Sequence, residues 1–288
     1  METIHDMRLD QTTDSVAAEM PGIQSGAYLL ELSLDWIVLR ASENAHHLLG
    51  ESHVTLVDEP LGRFVQAEPL HDLRNLFSRL SGTTGIARAY RVRLTNDPDL
   101  FDIAFHLAHG RVLLEAVPSA RQGVGEAFGT VGGLIAGLEG TSGDALLEGG
   151  ARRMRALTGY DRVTLTLGGE RIESSRGALQ MGSHDIDGLP TIVSDASAGS
   201  VGVFPRDAEE SSAEEALLRG LTQDQAKRLA DSGVRAVLRV PFTCDGESGE
   251  FVCESRSPRP VNFEVHAAAE LLAQMFAMTL RIDALNNG

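Results

Sequence analysis

Three pairs of turn-forming residues constrain this chain most. His109-Gly110, Gly168-Gly169 and Asp245-Gly246 each sit between two runs rich in strand-forming residues. A two-residue loop between paired strands needs backbone at positive φ, which glycine supplies without a Cβ clash. The sequence therefore predicts three antiparallel hairpins: 100–108 with 111–116, 163–167 with 170–174, and 234–240 with 249–254. Hairpins are marginal alone and need a covering layer, which the rest of the chain supplies as amphipathic helices.

Two further strands, 28–32 and 36–41, flank a Ser-Leu-Asp turn, and another spans 87–94. Ser42-Glu43-Asn44-Ala45 opens a short helix that ends near Gly50. Apolar residues recur at helical spacing over 69–80. Beyond Pro118, helical tracts cover 124–138 and 142–158, split by Gly140-Thr141-Ser142-Gly143. The glycines in these tracts suit close helix packing. Ser211-Ser212-Ala213-Glu214-Glu215 reads as a capped helix start, broken by Gly220-Leu221-Thr222. A second helix then runs to Asp231, and a long one covers 262–284. The stretch 176–210 is rich in Gly, Ser and Asp and offers one strand, 200–204. The expected class is α+β, with two domains that are each an antiparallel sheet flanked by helices, and a long C-terminal helix. The expected units are a flexible arm over 1–20, a first domain over 21–118 and a second over 119–288. A length of 288 residues suits two domains.

Hydrophobic residues make up 42% and aromatics only 5%, so the cores must be built from Leu, Val, Ile and Ala. Against 25 Lys and Arg stand 41 Asp and Glu, a formal charge of −16. That surface repels phosphate backbones and anionic membranes, so nucleic-acid binding is not expected. Two cysteines, Cys244 and Cys253, do not make a secreted disulfide framework, although a cross-strand contact between them is open. The N-terminus has no basic n-region followed by an apolar run, and no tract reaches the length of a membrane span. A cytoplasmic location is the expectation.

No constellation for catalysis emerges. Ser183-His184-Asp185 are sequence neighbours, whereas a catalytic triad assembles from distant segments. His46, His47, His53, His106 and His109 lack the partners and spacing of a zinc site, and His106 and His109 read as surface or turn residues. No phosphate-binding glycine motif follows a strand. Catalytic and metal sites are therefore expected to be absent. The final helix carries Phe263, Leu271, Leu272, Met275, Phe276, Met278, Leu280, Ile282 and Leu285, too wide a set for one core-facing stripe.

Four segments, in order, carry a family resemblance. Pro21-Gly22-Ile23-Gln24 with Leu29-Leu30, Gly159-Tyr160-Asp161-Arg162-Val163, Asp231-Ser232-Gly233-Val234-Arg235-Ala236, and Cys253 with Ser257-Pro258-Arg259-Pro260-Val261 resemble the PAS–GAF part of bacterial phytochromes. The resemblance implies a PAS domain followed by a GAF domain. It implies a homodimer through the C-terminal helix, and a separate signalling protein for output, since no PHY or kinase segment is read after the last helix. It leaves open whether the arm threads a loop of the GAF domain, as in phytochromes, because the middle segment looks shortened.

That family holds a linear tetrapyrrole, biliverdin in bacterial members, in the GAF pocket. By resemblance the pocket positions here are Asp185, Ile186, Gln225, Cys253 and Glu254, although Cys253 also reads as a small core residue of its strand and Asp185 as a turn residue that caps local amides. Several depart from the pattern. The arm has no cysteine for the thioether. Thr222-Gln223-Asp224-Gln225 lacks the alternative cysteine and has Gln225 where a histidine is expected, although Thr222 and Gln225 also fit a helix capping box. Glu254 stands at the second histidine, and Asp185-Ile186-Asp187 is what remains of an Asp-Ile-Pro motif. The arginines that pair with propionates look lost. The resemblance and its departures imply a non-enzymatic regulatory module without covalent bilin and with no cofactor. The alternative is a red-light receptor that holds biliverdin non-covalently.

Overall fold

The computed structural model describes residues 22–80, 85–119, 126–177, 181–206 and 211–287; the arm read over 1–20 lies outside them. The first sheet contains β2 (Tyr28–Leu32), β3 (Val38–Ser42), β4 (Ala87–Val92), β5 (Phe101–Ala108) and β6 (Arg111–Pro118), preceded by the short β1 (Ile23–Gln24). Helices α1 (His46–Leu49), α2 (His53–Leu56) and α3 (Ala67–Ser78) lie between β3 and β4. Trp36, Leu56, Leu61, Leu73 and Phe105 bury on that side. The β5–β6 hairpin turns at His109 and Gly110, with φ of 49° and 75°.

Helices α4 (Glu126–Ala136) and α5 (Gly143–Thr158) lead into β7 (Arg162–Leu167) and β8 (Glu170–Ser175). Short strands β9 (Ile192–Val193), β10 (Ser200–Val201) and β11 (Val203–Phe204) precede α6 (Gln223–Asp231), β12 (Ala236–Cys244), β13 (Glu247–Ser255) and α7 (Phe263–Asn287). The second sheet runs β8-β7-β13-β12-β9, all antiparallel. Helices α4, α5 and α7 cover one face, where Leu146, Met154 and Phe276 meet Val163, Leu165 and Phe251. Gly150 permits this approach: a Cβ there would lie 2.4 Å from the Phe276 ring.

The expected strand over 200–204 divides at Gly202. Strand β10 pairs with β1, and β11 crosses to β3 and extends the first sheet to the order β11-β3-β2-β6-β5-β4. The helix expected from Ser211 is only a 3-10 turn, Ala213–Glu215, and Ala216 is already extended at ψ 137°. The reason is non-local. Leu217 and Leu218 donate their N–H groups to the two carboxylate oxygens of Glu115 on β6, at 2.8 and 2.7 Å. Those donors are then lost to a helical ladder. Glu31 on β2 lies nearby, buried and paired with Arg40 and the half-buried Arg111, and accepts from the Ser212 N–H.

The segment Gly22–Ser25 is gripped from both sides by the stretch that joins β9 to α6. On one side Ile23 and Gln24 pair with Val201 and Ser200. On the other, the Gln24 N–H donates to the Leu218 carbonyl at 3.0 Å, and the Gly220 N–H to the Gly22 carbonyl at 2.6 Å. Gln24 itself is buried. Its amide nitrogen donates to the Ile192 carbonyl, and its oxygen accepts from the Ser194 N–H and hydroxyl. Of the threading left open by the sequence, the described residues hold this two-sided clasp.

Candidate functional site

Side chains alternate across a strand, so the second sheet has a face turned away from α4, α5 and α7. Arg162 and Thr164 of β7, Val237 and Arg239 of β12, and Glu250, Val252 and Glu254 of β13 point that way. The segment 181–196 and helix α6 lie over this face. Leu189, Val193, Ala196, Leu229 and Val234 bury against Val237 and Val252, with Met181, Ile186 and Leu221 packed around them.

A polar group occupies one end. Arg162 donates from Nε to Glu254 Oε2 at 2.6 Å, and from its two terminal nitrogens to the Met181 and Gly182 carbonyls, both at 3.0 Å. The His184 ring lies 3.4 Å from the other Glu254 oxygen, and its side chain is 4% exposed. Neither ring nitrogen of His184 has a hydrogen-bond partner, nor does the buried Thr164 hydroxyl. Burial pushes the His184 imidazole below its ordinary range, against the opposing pull of Glu254. Three further arginines around this face are held by acids, Arg228 by Asp185, Arg239 by Glu250 and Arg235 by Asp195, while Arg219 donates to the Gly188 and Gly220 carbonyls.

The structure brings together four of the five residues singled out from the sequence. Asp185 is exposed, and its Oδ1 accepts the Asp187 N–H at 2.9 Å, a local turn. Ile186 packs in the apolar layer. Gln225 completes a capping box with Thr222, and its Nε2 donates to the Gly188 carbonyl at 2.5 Å, which ties the overlying segment to α6. Glu254 binds Arg162. Cys253 is on the other face. It is fully buried on the helix side beside Thr158, where burial pushes its thiol up to about 12. The two-residue strand period separates neighbours such as Cys253 and Glu254 and is the signal that sorts them. His184, Arg162 and Arg239 were missed, because only tertiary contact gathers them.

Two other expectations change. Cys244 faces Glu247 across the hairpin, and Cys253 faces Leu238, so the cysteines are at opposite ends and both are free. His106 is only partly at the surface: the residue is half-buried, and its Nε2 lies 3.2 Å from the Glu215 carbonyl. Among the described residues, no cluster of three or more His, Cys, Asp or Glu could hold a metal ion, and no helix is long and apolar enough to cross a membrane.

Residues 22–118 match the family model described as the PAS fold. A search of curated proteins gives no match. Solved structures do match. The phytochrome photosensory core module of Stigmatella aurantiaca superimposes with a TM-score of 0.75 at 23% identity, over 93% of this chain and 60% of that one. The chromophore-binding domain of Stigmatella aurantiaca phytochrome P1 gives 0.74 at 24% identity, over 94% of this chain and 97% of that one. The chromophore-binding domain of an unusual bacteriophytochrome from R. palustris gives 0.72 at 20% identity, over 93% and 98%. This chain thus spans 60% of the length of the Stigmatella photosensory core. A PAS-fold segment over 22–118, joined through a clasp to a second helix-covered sheet, gives the chain the fold of a phytochrome-like PAS–GAF module.

Proposed function

We propose that this chain is a non-enzymatic sensory or regulatory module that keeps phytochrome architecture without covalent bilin, and that signals through a dimer and a separate partner protein. One observation carries the reading: the sheet face opposite the helices is already filled and neutralised from within. Met181, Ile186, Leu189, Leu221 and Leu229 pack directly over it. Four of its arginines are committed to Glu254, Asp185, Glu250 and Asp195, and Arg219 to backbone carbonyls. A bilin brings two propionates, which need bidentate cations. It also needs a nucleophilic thiol for attachment. Cys253 faces the helices with its thiolate strongly disfavoured, and Cys244 turns its sulfur toward the Ala277 carbonyl on α7. The described residues do not suit covalent attachment of a bilin.

The test is a titration of the purified chain with biliverdin. The expected outcome is no new red absorption band and no pigment retained after denaturation. A red-absorbing adduct that survives denaturation and photoconverts overturns the reading.

A second reading, biliverdin held without a bond, draws support from His184, an imidazole beside Glu254 with both nitrogens unpartnered. It requires a red band that is lost on denaturation.

The dimer rests on α7. Leu271, Met278, Ile282 and Leu285 form one exposed stripe at spacings of seven, four and three, and Leu285 is 82% exposed. Replacing Ile282 and Leu285 together with glutamate is expected to halve the mass measured by light scattering and to leave the melting temperature nearly unchanged. A wild-type monomer refutes the dimer.

A further inference from the structure

A cleft of about 690 Å³ opens on the first sheet, away from the face described above. Its size is within the range of small-molecule sites. Its floor is aromatic. Tyr28 and Phe101 meet edge to face, ring centroids 5.8 Å apart, beside Pro118. Its rim carries charge of both signs, from Arg91 and Asp99, with the His47 ring beside them.

Arg91 is the informative residue. The β4–β5 register shifts between Ala89 and Val92, and Arg91 occupies that bulge at φ 54°. Left-handed backbone is costly for a side chain like arginine, and a bulge takes a residue out of strand alternation and re-aims it. The position is fixed by the Arg91 N–H, which donates to Asp102 Oδ1 at 2.9 Å; the same oxygen accepts the Ser119 hydroxyl at 2.6 Å. The guanidinium itself has no hydrogen bond or ion pair among the described residues, unlike the arginines of the other face. A strained residue that presents an uncommitted cation beside an aromatic floor is a recognition element.

We propose that this cleft binds a small aromatic carboxylate. The ligand ring lies against Tyr28 and Phe101, and the carboxylate takes the two parallel N–H donors of Arg91. His47 adds a second donor at the rim. Asp99 disfavours a second negative charge, which limits the ligand to a monoanion.

Three isosteric probes separate the possibilities: 4-hydroxyphenylacetate, its alcohol tyrosol and its amine tyramine. Each is titrated into the full chain at low salt and followed by saturation-transfer NMR. The carboxylate is expected to bind at least tenfold more tightly than the alcohol. In Arg91→Gly, which suits the local φ and so preserves the fold, that preference disappears. Tyr28→Leu weakens carboxylate and alcohol alike. The proposal is overturned by no carboxylate binding at millimolar concentration, by tyramine binding best, or by a preference that survives in Arg91→Gly.

Discussion

At the scale of single residues, Glu115 shows what a buried acid can be made to do. It is completely buried, and both oxygens are used by backbone amides of the 211–218 segment. Burial raises its carboxyl from 4.5 to about 7, against the lowering pull of the Leu217 and Leu218 amides. Because the folded value lies above the unfolded one, the native state holds the proton more tightly. The stability Glu115 contributes is therefore fully present below about pH 4.5 and is lost as pH rises through about 7. The shift corresponds to a change on the order of 3 kcal/mol across that window. Glu115→Gln cannot titrate, so its deficit relative to wild type should be largest near pH 5 and should shrink by pH 8. Urea unfolding of both proteins at the two pH values measures this, and a deficit that grows with pH contradicts it. Nothing in the sequence around Glu115 marks it, since its partners are 102 and 103 positions away.

Elements whose causes are local were legible in the sequence. The three hairpins form where turn residues take positive φ, at His109-Gly110, Gly168-Gly169 and Asp245-Gly246. Helix α6 starts at Thr222 with the expected capping box, since Thr222 Oγ1 accepts the Gln225 N–H at 3.2 Å and Gln225 Oε1 accepts the Thr222 N–H at 3.0 Å. Elements whose causes are distant were not legible. The strong helix-start pattern at Ser211–Glu215 loses to Glu115, and β9 has no local signature because two residues pair only after β12 exists. On the candidate face the same divide holds: Gln225 is legible through its helix cap and Glu254 through strand alternation, which turns Cys253 to the opposite side as the small core residue its strand position allows. The cap supports a prediction at this scale. Thr222→Ala removes one donor's partner and should cost about 1 kcal/mol. Gln225→Ala should cost more, because it also releases the Gly188 carbonyl and the segment above the sheet. Chemical denaturation ranks the two, and the reverse order denies Gln225 its second role.

For the whole molecule, the question is what couples the two sheets. Several links lie between them among the described residues, and four stand out. One is the clasp on Gly22–Ser25, and a second is β11 on β3. The third is the pair of buried acids Glu31 and Glu115 on the 211–218 segment. The fourth joins β4 to α7, where Arg88 binds Glu270 at 2.9 Å and meets the buried His266 ring at 3.1 Å. The clasp is the one that a single atom can test. A Cβ on Gly22 would lie 2.1 Å from the Val201 carbonyl oxygen, and backbone is on both sides, so one limb must move. Gly22→Ala should cost roughly 1–3 kcal/mol, the range for overpacking. Hydrogen exchange should quicken at the Gln24, Ser25 and Gly220 amides and stay slow in the β12–β13 hairpin. Because the other links remain, unfolding should stay a single transition at a lower midpoint. Separation into two transitions would mean that the clasp alone makes the sheets one cooperative unit, and that the buried acids and the Arg88 contacts contribute little to holding them together.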